Sequence, residues 1–568
     1  MLRVEVCGNR VTIRGSGLTF LKAKTAMSGF AGEEEILTVG RNSFSAPLSA
    51  YLQAKPRLGN EIIEDAPTAS LILDRSAELD LHEKARSRVR EIIEKGETLT
   101  GFSRWDAILD PHQGIAANAI SVPGLFGLCL FDEQGTGKTV SLLAAYDIVR
   151  KNGEVDCAVV LAPKTLQENW KKESIRFLPG PATVIIIDGN KEIRYRKLQK
   201  KADLYITTYE TLGSDFLHFI SLAKTRKVFL IADESFFVKN PNSLRSKTAR
   251  EFRRHCVRAV VLCGSPAPNT PMDLVNQFDV ADNGYTFGET VIPEDSEARK
   301  NIIESRIEAR GVYLRRTKER VLPDLPKKVF HIVPVTMEPK QELLYSTTKK
   351  DLVLFLRTLD NRTFRRNLTT YFQKRAALLQ ICAAPSLIDP LVTEVPGKYL
   401  ALDRLLRIEI GEKRNKVVVW SVYTKTLDDL IDRYRMYNPV RVDGTVVGTS
   451  ARQQMINRFQ NDPQTKLFIG NPSAAGAGVT LHAAHIAVYL SFSNQAAHYM
   501  QSLDRVHRRG QTASSVEYFF LVCNGTIERN ELNRLVSKQK NQSDLFGDFS
   551  GESPSLESAI HEVEVGEV

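Results

Sequence analysis

The sequence of 568 residues is 42% hydrophobic and 25% charged, which is the composition of an ordinary soluble globular protein. At roughly 100 to 200 residues per domain, this length excludes a single hydrophobic core and predicts three or four domains. No stretch has the ~18 consecutive apolar residues of a membrane span, and the first residues, MLRVEVCGNRV, lack the layout of a signal peptide. We therefore expect a cytoplasmic protein with no membrane partner.

The cysteines and the charge narrow the choice of partners. Seven cysteines are scattered without a CxxC pair, so the sequence predicts neither a disulfide framework nor a structural zinc site. The net charge of +10 is unevenly spread, because residues 551–568 carry five acids and no lysine or arginine. A basic central region is typical of a polyanion partner, but it fits a solvated surface equally well.

The first hundred residues predict a small α+β accessory domain. In LRVEVCGNRVTIRG, apolar residues alternate on both sides of the turn signal Gly8–Asn9, which favours a β-hairpin. Residues 77–95 then carry apolar side chains at helical spacing. The sequence leaves open what this domain contacts.

Short apolar runs dominate the central parts of the chain, and each run ends in a polar or glycine-containing loop. The first set is LFGLCLF, CAVVLA, TVIII, LYIT, VFLI and AVVLC, and the second is KVVVWS, VRVDG, KLFIGNP, IAVYLSF and VEYFFLV. Such runs of Val, Ile and Leu are typical of parallel strands buried on both faces. The sequence therefore predicts an α/β protein with two doubly wound parallel sheets, whose ligands lie at the carboxyl ends of the strands.

Composition and periodicity divide the chain into five predicted segments. They are the accessory domain 1–100, a first sheet domain 101–290, a mostly helical and basic linker with protrusions 291–400, a second sheet domain 401–548 and an acidic tail 549–568. The tail is rich in Ser, Glu and Gly, and this composition predicts disorder.

The loop DEQGTGKT joins an apolar strand to an apolar helix. It departs from the strict Walker pattern, which has a glycine in place of Asp132, but Gly135 and Gly137 still allow backbone N–H groups to wrap a phosphate at a helix N-terminus. We expect Lys138 to reach the β- and γ-phosphates of ATP and Thr139 to bind Mg²⁺ through its hydroxyl. A chance glycine-rich turn is the alternative.

Two adjacent carboxylates, Asp233 and Glu234, end the apolar run VFLIAD. Phosphoryl transfer to water needs one acid to hold Mg²⁺ and a second to orient or deprotonate the attacking water. We therefore predict that Asp233 binds the metal and that Glu234 is catalytic. An ordinary polar strand end is the alternative, and the phosphate loop upstream argues against it.

From about residue 105 to about residue 548, the chain resembles the Swi/Snf-type branch of the superfamily 2 helicase-like translocases. DEQGTGKT resembles that branch's DEMGLGKT, LDPHQ its adenine-reading motif, and QSLDRVHRRGQT the most specific motif of its second lobe. The resemblance implies two RecA-like lobes. It also assigns YLRRTKERVLPDLPKK and LLQICAAPSLI to the connecting and protrusion segments of this branch.

The resemblance further implies roles for individual residues. It places Gln113 on the adenine base of ATP, and it assigns phosphate contacts to Gln134, Gly135, Thr136, Gly137, Lys138 and Thr139. It assigns DNA contact or coupling to Pro163, Lys164, Thr208, Phe236, Gly264, Ser265 and Gln501.

Two arginines of QSLDRVHRRGQT, Arg505 and Arg508, cross the cleft between the lobes to the γ-phosphate in this family. A guanidinium from outside the phosphate loop stabilises the charge that develops on the transferred phosphoryl group. The two residues are three apart, so a helix would let both face one cleft. A solvated basic face is the alternative, and we assign Arg509 to it.

The chain departs from the family pattern at two places. DESFFVKN resembles the DESHFLKN of the annealing-helicase branch, but Phe236 stands where that branch has a histidine thought to link the nucleotide site to the DNA-gripping motifs. Phe236 cannot form that hydrogen bond, so the coupling is either weaker or runs another way. SFSNQ, residues 491–495, lacks the tryptophan that the family tends to have before Asn-Pro.

The leading hypothesis is an ATP-dependent translocase on double-stranded DNA, with forked or branched DNA among the candidate substrates, ATP as the nucleotide and Mg²⁺ as the metal. A strand-separating helicase is one alternative. A nucleotide-gated DNA-binding module with little hydrolysis is another. The small size and bare core predict a prokaryotic or phage-infected cell, with the protein in the cytoplasm at the nucleoid.

Overall fold

The computed structural model describes residues 1–7, 10–31, 36–264, 266–267, 270–288, 290, 292–445, 449–473, 479–492, 496–540 and 556–565. These residues belong to two compact units, Met1–Thr317 and Lys318–Val568, and each unit is described by itself. Within the described ranges, no helix is both long and apolar enough to span a membrane.

A five-stranded sheet begins the first unit. Its strands are β1 Leu2–Cys7, β2 Arg10–Arg14, β3 Leu37–Gly40, β4 Ser43–Pro47 and β5 Ile62–Ile63, in the spatial order β3-β4-β2-β1-β5. Helices α1 Gly17–Ser28 and α2 Leu48–Leu58 complete this small α+β domain. The antiparallel pairing of β1 with β2 confirms the predicted hairpin.

The helix predicted over 77–95 is longer in the structure, where α3 runs over Ala66–Lys95. Asp65 caps its start by accepting a hydrogen bond from the N–H of Thr68 at 2.8 Å, and Gly96, with φ 66°, ends it. The periodicity of the sequence did not reveal the first turns, because two of their leucines, Leu71 and Leu73, are exposed.

Seven parallel strands form the central sheet of the first unit. They are β6 Gly127–Leu130, β7 Cys157–Leu161, β8 Val184–Ile186, β9 Leu204–Thr207, β10 Val228–Asp233, β11 Arg258–Leu262 and β12 Tyr313–Leu314, in the order β12-β6-β11-β10-β7-β9-β8. The helices that follow α3 are α4 Ser103–Asp106, α5 Pro111–Ser121, α6 Lys138–Lys151, α7 Gln167–Phe177, α8 Lys191–Leu198, α9 Tyr209–Ser214, α10 Phe216–Thr225, α11 Leu244–Arg253, α12 Met272–Asp282 and α13 Ser296–Arg310. Strands β6, β7, β9 and β11 are buried along their whole length, which confirms the prediction of strands covered on both faces.

The order of these strands brings three polar segments to one edge. Strands β6, β11 and β10 are neighbours and run parallel, so their carboxyl ends lie side by side. The DEQGTGKT loop follows β6, the acidic pair ends β10, and Gly264 follows β11. A doubly wound sheet binds its ligands at this edge.

The second unit contains a six-stranded parallel sheet. Its strands are β13 Lys327–Val335, β14 Val417–Trp420, β15 Val440–Val442, β16 Leu467–Gly470, β17 Ile486–Tyr489 and β18 Ser515–Cys523, in the order β13-β18-β17-β14-β16-β15. Its helices are α14 Lys318–Val321, α15 Pro339–Arg357, α16 Asn361–Arg366, α17 Leu368–Ala383, α18 Gly397–Leu406, α19 Thr424–Arg433, α20 Thr449–Asn461, α21 Ala496–Val506, α22 Glu528–Lys540 and α23 Leu556–Val565. The second predicted parallel sheet is therefore confirmed.

The predicted disorder of the acidic tail is wrong for residues 556–565, which form α23. Ala559 and Val563 of this helix are fully buried in the core of the second unit. The Glu562 carboxylate accepts hydrogen bonds from Arg375 at 2.7 Å and from Arg534 at 3.0 Å. The acidic composition was misleading, because arginines on other helices, of which Arg375 is buried, pair with the acids of the tail. The remaining tail residues, 549–555 and 566–568, lie outside the described ranges.

Candidate active site

The loop between β6 and α6 has the backbone of a phosphate cradle. Gly135 and Gly137 have φ values of 85° and 86°, in the left-handed region that favours glycine. Gly137 immediately precedes α6, so the first N–H groups of this helix point into the loop. A Cβ at Gly137 would lie 2.1 Å from the Nε2 atom of Gln113. The loop can therefore bind a phosphate at a helix N-terminus only while both positions stay glycine.

Lys138 lies at the centre of this loop. Its Nζ donates hydrogen bonds to the carbonyl oxygens of Asp132 at 2.7 Å and of Glu133 at 3.2 Å. The Thr136 hydroxyl donates to the same Glu133 carbonyl at 2.9 Å. Thr139 follows in the first turn of α6 and is partly exposed. The ammonium and the hydroxyl are thus placed where phosphate and metal chemistry would need them, and their roles stay predictions.

Gln113 lies against the loop through two hydrogen bonds. Helix α5 begins with a capping box, in which Gln113 Oε1 accepts from the N–H of Asp110 at 3.0 Å. The Nε2 of Gln113 donates to the carbonyl of Thr136 at 3.0 Å. This geometry puts Gln113 beside the nucleotide loop, as the resemblance implies. Its contact with an adenine base stays a prediction.

The departure at Asp132 has a structural explanation. Its carboxylate forms an ion pair with the guanidinium of Arg316, and both side chains are almost fully buried. Arg316 also donates to the carbonyl of His112 at 2.8 Å. The preceding arginine, Arg315, donates to the carbonyl of Gly264 at 2.8 Å. Arg315 and Arg316 therefore stabilise the loop and the start of the segment after β11, which their assignment to a connecting segment did not indicate.

The two carboxylates at the end of β10 have different surroundings. Asp233 Oδ2 accepts from the indole N–H of Trp170 at 2.8 Å, and Oδ1 accepts from the N–H of Glu234 at 2.8 Å. Glu234 has φ 49°, so the chain turns sharply between the two residues. Its Oε1 accepts from the Nε2 of Gln134 at 2.9 Å. Distinct orientations of this kind suit one metal ligand and one water-orienting group.

Burial raises the pKa of the Asp233 carboxyl above its ordinary value, against the opposing effects of the Trp170 hydrogen bond and the Lys138 ammonium. A nearby cation would favour the ionised form further. Mg²⁺ prefers hard oxygen ligands such as a carboxylate and a hydroxyl. Asp233 and Thr139 therefore fit the predicted metal.

Trp170 was missed by the sequence reasoning, which singled out only Pro163 and Lys164 of this stretch, as residues of DNA contact or coupling. The structure places its indole in the core, 1% exposed, with the N–H on Asp233. A buried indole needs a hydrogen-bond acceptor, and this need was the only signal that the sequence offered. Helix α7 thus joins the Pro163–Lys164 segment to the acidic pair.

Three of the predicted DNA-contact residues lie together. Pro163, Lys164 and Thr208 line a cavity of about 410 Å³, whose wall also includes Phe237. The Thr208 hydroxyl accepts from the N–H of Thr211 at 3.1 Å and caps α9. The cavity lies beyond the carboxyl ends of β7 and β9, where these residues follow the strands.

Phe236 and Phe237 belong to a short 3₁₀ helix, Ser235–Val238, that follows the acidic pair. Their rings stack with centroids 4.5 Å apart. Phe237 also contacts the guanidinium of Arg245, whose carbon lies 5.6 Å from the ring centroid. Phe237, rather than Phe236, therefore reaches the cavity of the predicted DNA contacts.

Gly264 lies close to the phosphate loop. A Cβ at Gly264 would lie 2.5 Å from the Cγ of Gln134, so the two backbones pack without room for a side chain. Ser265, the next predicted coupling residue, lies outside the described residues.

The arginine pair of the second unit differs from the prediction in one respect. Helix α21 ends at Val506, so Arg508 lies beyond it and the two residues do not share a helix face. Both side chains nevertheless contact the same short segment. Arg505 donates to the carbonyl of Val479 at 3.3 Å, and Arg508 donates to the hydroxyl of Thr480 at 2.7 Å. Their action on the γ-phosphate stays a prediction.

Three other positions of the second unit complete the comparison with the sequence. Gln501 is buried in α21, and its DNA contact stays a prediction. Arg509 is exposed, as a solvated basic residue would be. In the departing segment 491–495, residues 493–495 lie outside the described ranges.

The described residues contain one group of side chains with the spacing of a metal site, formed by Cys382, Cys523 and Glu528. The fully buried Lys398 donates to the Glu528 carboxylate at 2.6 Å and to the carbonyl of Leu490 at 2.7 Å. This ammonium already neutralises the carboxylate, and it would repel a metal cation. We therefore interpret the group as a buried ion pair beside two thiols.

Comparisons with known proteins identify two family regions. The SNF2-related domain matches residues 104–387, and the helicase conserved C-terminal domain matches residues 397–510. The mouse protein "Chromodomain-helicase-DNA-binding protein 1-like" is 30% identical over 434 residues, which cover 72% of this chain and 47% of the relative. The "DNA repair and recombination protein RAD54-like" of Drosophila mojavensis is 27% identical over 511 residues, covering 77% of this chain and 63% of the relative.

Two further proteins widen the comparison. The human "DNA annealing helicase and endonuclease ZRANB3" is 25% identical over 424 residues, covering 71% of this chain and 37% of the relative. The solved SWI2/SNF2 ATPase core of Sulfolobus solfataricus in complex with dsDNA has 22% identity and a TM-score of 0.35, covering 78% of this chain and 93% of that chain. The chain spans less than two thirds of the length of these three curated relatives. Because the SNF2-related domain alone matches half of the sequence, the chain belongs to the SNF2-related family of helicase-like ATPases.

Proposed function

We propose that the protein hydrolyses ATP in response to double-stranded DNA and uses the energy to move along the duplex. The observation that carries this proposal is the meeting of three segments at one sheet edge: the glycine loop with Lys138, the acidic pair Asp233 and Glu234, and Gly264. Loop, acids and coupling segment are the parts that phosphoryl transfer and its mechanical output require.

The residues of the first unit would divide the chemistry among themselves. Backbone N–H groups of the loop and Lys138 would hold the β- and γ-phosphates. Thr139 and Asp233 would hold Mg²⁺, which neutralises phosphate charge when it is bound. Glu234, positioned by its bond to Gln134, would orient the attacking water and take its proton.

Duplex DNA is the proposed partner because of the relatives and the cavity. Relatives with DNA repair, recombination and annealing in their names match 77% and 71% of this chain. The cavity with Pro163, Lys164 and Thr208 is open to a phosphate backbone, and Lys164 brings a positive charge to it. A nucleoid-associated cytoplasmic location and activity on forked DNA belong to the same proposal.

The test is displacement of a triplex-forming strand from a duplex, measured beside unwinding of a tailed duplex. We expect ATP-dependent triplex displacement without unwinding, and loss of displacement in Lys138→Ala and Glu234→Gln. Unwinding of the tailed duplex would instead indicate a strand-separating helicase. ATP-dependent retention on DNA with hydrolysis at background would indicate a gated binding module. Either result would contradict the translocase.

A further inference from the structure

The side chain of Phe236 cannot form a hydrogen bond at the position where a link between the acidic pair and the coupling segment is expected. The residue before it, Ser235, has a hydroxyl that can. The hydroxyl of Ser235 donates to the Oε1 of Gln277 in α12. Both side chains are 0% exposed, so no water competes for this bond.

Gln277 continues the connection to the coupling segment. Its Nε2 donates to the carbonyl of Pro266 at 2.6 Å, and also to the carbonyl of Asp273 in its own helix. Pro266 lies two residues after Gly264, in the segment that follows β11. One buried amide therefore joins the residue after the catalytic carboxylates to the segment implied in coupling.

The amide group is the right chemistry for such a bridge. Gln carries an acceptor and two donors on one rigid plane, so a displacement of one partner changes the geometry at the other. Both ends are buried, and loss of either bond would leave a buried polar group without its partner, which is unfavourable. The two ends are thus energetically linked.

Helix α12 gives the bridge a rigid base. Its residues from Asp273 to Asp282 are all buried, and its neighbour strand leaves no space, since a Cβ at Gly127 would lie 2.1 Å from the carbonyl oxygen of Ala281. Asn276 holds the other end of the Ser235–Val238 helix by donating to the carbonyl of Val238. A movement of the Ser235–Val238 helix would therefore be transmitted to α12 or resisted by it.

We propose that Gln277 is the positioning residue that couples the acidic motif to the coupling segment in this protein, in place of a hydrogen bond from residue 236. The proposal rests on the proposed DNA-stimulated hydrolysis. Gln277 touches neither nucleotide nor DNA in this scheme. It transmits the state of the Asp233–Glu234–Ser235 turn to Pro266 and the reverse.

The experiment compares ATP hydrolysis with and without duplex DNA in the full-length chain. Gln277→Leu nearly keeps the size of the side chain and removes all three of its hydrogen bonds, to Ser235, Pro266 and Asp273. We expect hydrolysis without DNA to stay near the wild-type rate and the stimulation by DNA to fall on the order of 2- to 30-fold, the range for residues that carry coupling. Unchanged stimulation would overturn the proposal.

Two further variants separate the bridge from packing. Ser235→Ala removes only one end of the bridge. It should lower the stimulation by DNA on its own and cause no further loss in the Gln277→Leu background. Wild-type stimulation in Ser235→Ala would overturn the proposal even if Gln277→Leu fails to fold. Asp282→Asn is the matched control, because Asp282 is also buried on the same helix but accepts hydrogen bonds from Tyr285 and Thr286, outside the bridge. An equal loss of stimulation in this control would show that helix packing alone is responsible.

The controls also distinguish this inference from the proposed function. A wild-type protein without DNA-stimulated hydrolysis would overturn both. A stimulated wild type with a Gln277→Leu variant that responds equally to DNA would overturn only the role of Gln277. Nucleotide affinity and the midpoint of thermal unfolding, measured for each variant, show that it is folded.

Discussion

The two parallel sheets of the chain are built alike but carry different side chains at their carboxyl edges. In the first unit this edge holds Lys138, Asp233 and Glu234, whose contacts are loop carbonyls, an indole and an amide. In the second unit the hydroxyls of Ser421 and Ser491 hydrogen-bond to each other at 3.0 Å. Both sheets thus provide a carboxyl edge, and the residues of the adjoining loops determine whether that edge can perform chemistry.

The same contrast holds for buried acids. In the second unit Asp504 pairs with Lys318 at 2.6 Å, and the pair holds the pKa of Asp504 at about 2. In the first unit, burial and the neighbouring Asp282 raise the pKa of Asp279 to about 8, although Arg250 and Arg306 oppose the shift. Burial therefore favours the protonated form of Asp279 in the first unit, whereas a neighbouring lysine favours the ionised form of Asp504 in the second.

The largest effect is expected for the acidic pair at the carboxyl edge of the first unit's sheet. Glu234→Gln removes the proposed general base and should lower the ATP hydrolysis rate by about 100- to 10,000-fold while ATP binding is kept. The measurement is steady-state hydrolysis together with the affinity for a fluorescent ATP analogue. Glu154→Gln is the control, since Glu154 precedes β7 at the other end of the same sheet and pairs with Arg258. A similar loss in the control would mean that the edge does not localise the chemistry.

Gly137→Ala should abolish ATP binding, because the new Cβ would collide with Gln113 and the residue has φ 86°. Gly153→Ala is a matched control with φ 72° and no atom within 4 Å of the added Cβ. Both variants should lose about 1–2 kcal/mol of stability from the left-handed backbone. Only the first should lose nucleotide affinity. ATP binding by Gly137→Ala at the wild-type level would break the assignment of the cradle.

Trp170→Phe removes the indole N–H from Asp233. Because this hydrogen bond lowers the pKa of Asp233, its loss should raise that pKa. The ionised form binds Mg²⁺, so the acid limb of the rate profile should move to higher pH, and half-saturation should need more Mg²⁺.

Trp105→Phe provides the control for this shift. Trp105 is also buried and donates to the carboxylate of Asp147 at 2.8 Å, but that pair lies away from the strand ends. Its loss should reduce stability without moving the pH profile. Identical profiles for Trp170→Phe and the wild type would contradict the metal assignment of Asp233.

The smallest effect concerns the buried acids. A folded-state pKa of about 8 for Asp279 means that the folded protein retains a proton that the unfolded chain releases, so stability falls as the pH rises from about 4 towards 8. Asp279→Asn should therefore raise the unfolding free energy relative to the wild type more at pH 8 than at pH 5.

Asp504 has the opposite sign. Its folded-state pKa of about 2 contributes stability above the ordinary carboxyl range, and this stability is lost as the pH falls through about 2. Asp504→Asn should destabilise the protein at pH 7, because Lys318 would be left buried without its counter-charge. Chemical denaturation across pH distinguishes the two variants. Equal responses would remove the contrast between the units.

Local patterns in the sequence predicted the parts of the molecule that local physics determines. The apolar runs became strands because Val, Ile and Leu runs are buried on both faces, and GKT became a helix start because its glycines permit the turn. The contacts of Trp170 with Asp233, of Gln134 with Glu234 and of Gln277 with Pro266 were not predictable. These residues are far apart in the sequence or lie on helices whose rotation the periodicity does not set.

Two wrong predictions have similar causes. Composition predicted disorder for the tail, but Leu556–Val565 folds because Ala559 and Val563 are buried in the core and arginines of other helices pair with its acids. The spacing of Arg505 and Arg508 predicted one helix face, but α21 ends at Val506. In both cases tertiary contacts overrode a local pattern.

We propose that the carboxyl edge of the first unit's sheet hydrolyses ATP in response to duplex DNA. The most direct test is the steady-state rate of ATP hydrolysis by the wild-type chain and by Glu234→Gln, titrated with duplex, single-stranded and forked DNA. We predict a rate that rises and saturates with duplex DNA in the wild type and stays at background in Glu234→Gln at every DNA concentration. A wild-type rate that is equal with and without DNA would contradict DNA-dependent ATP hydrolysis by this protein.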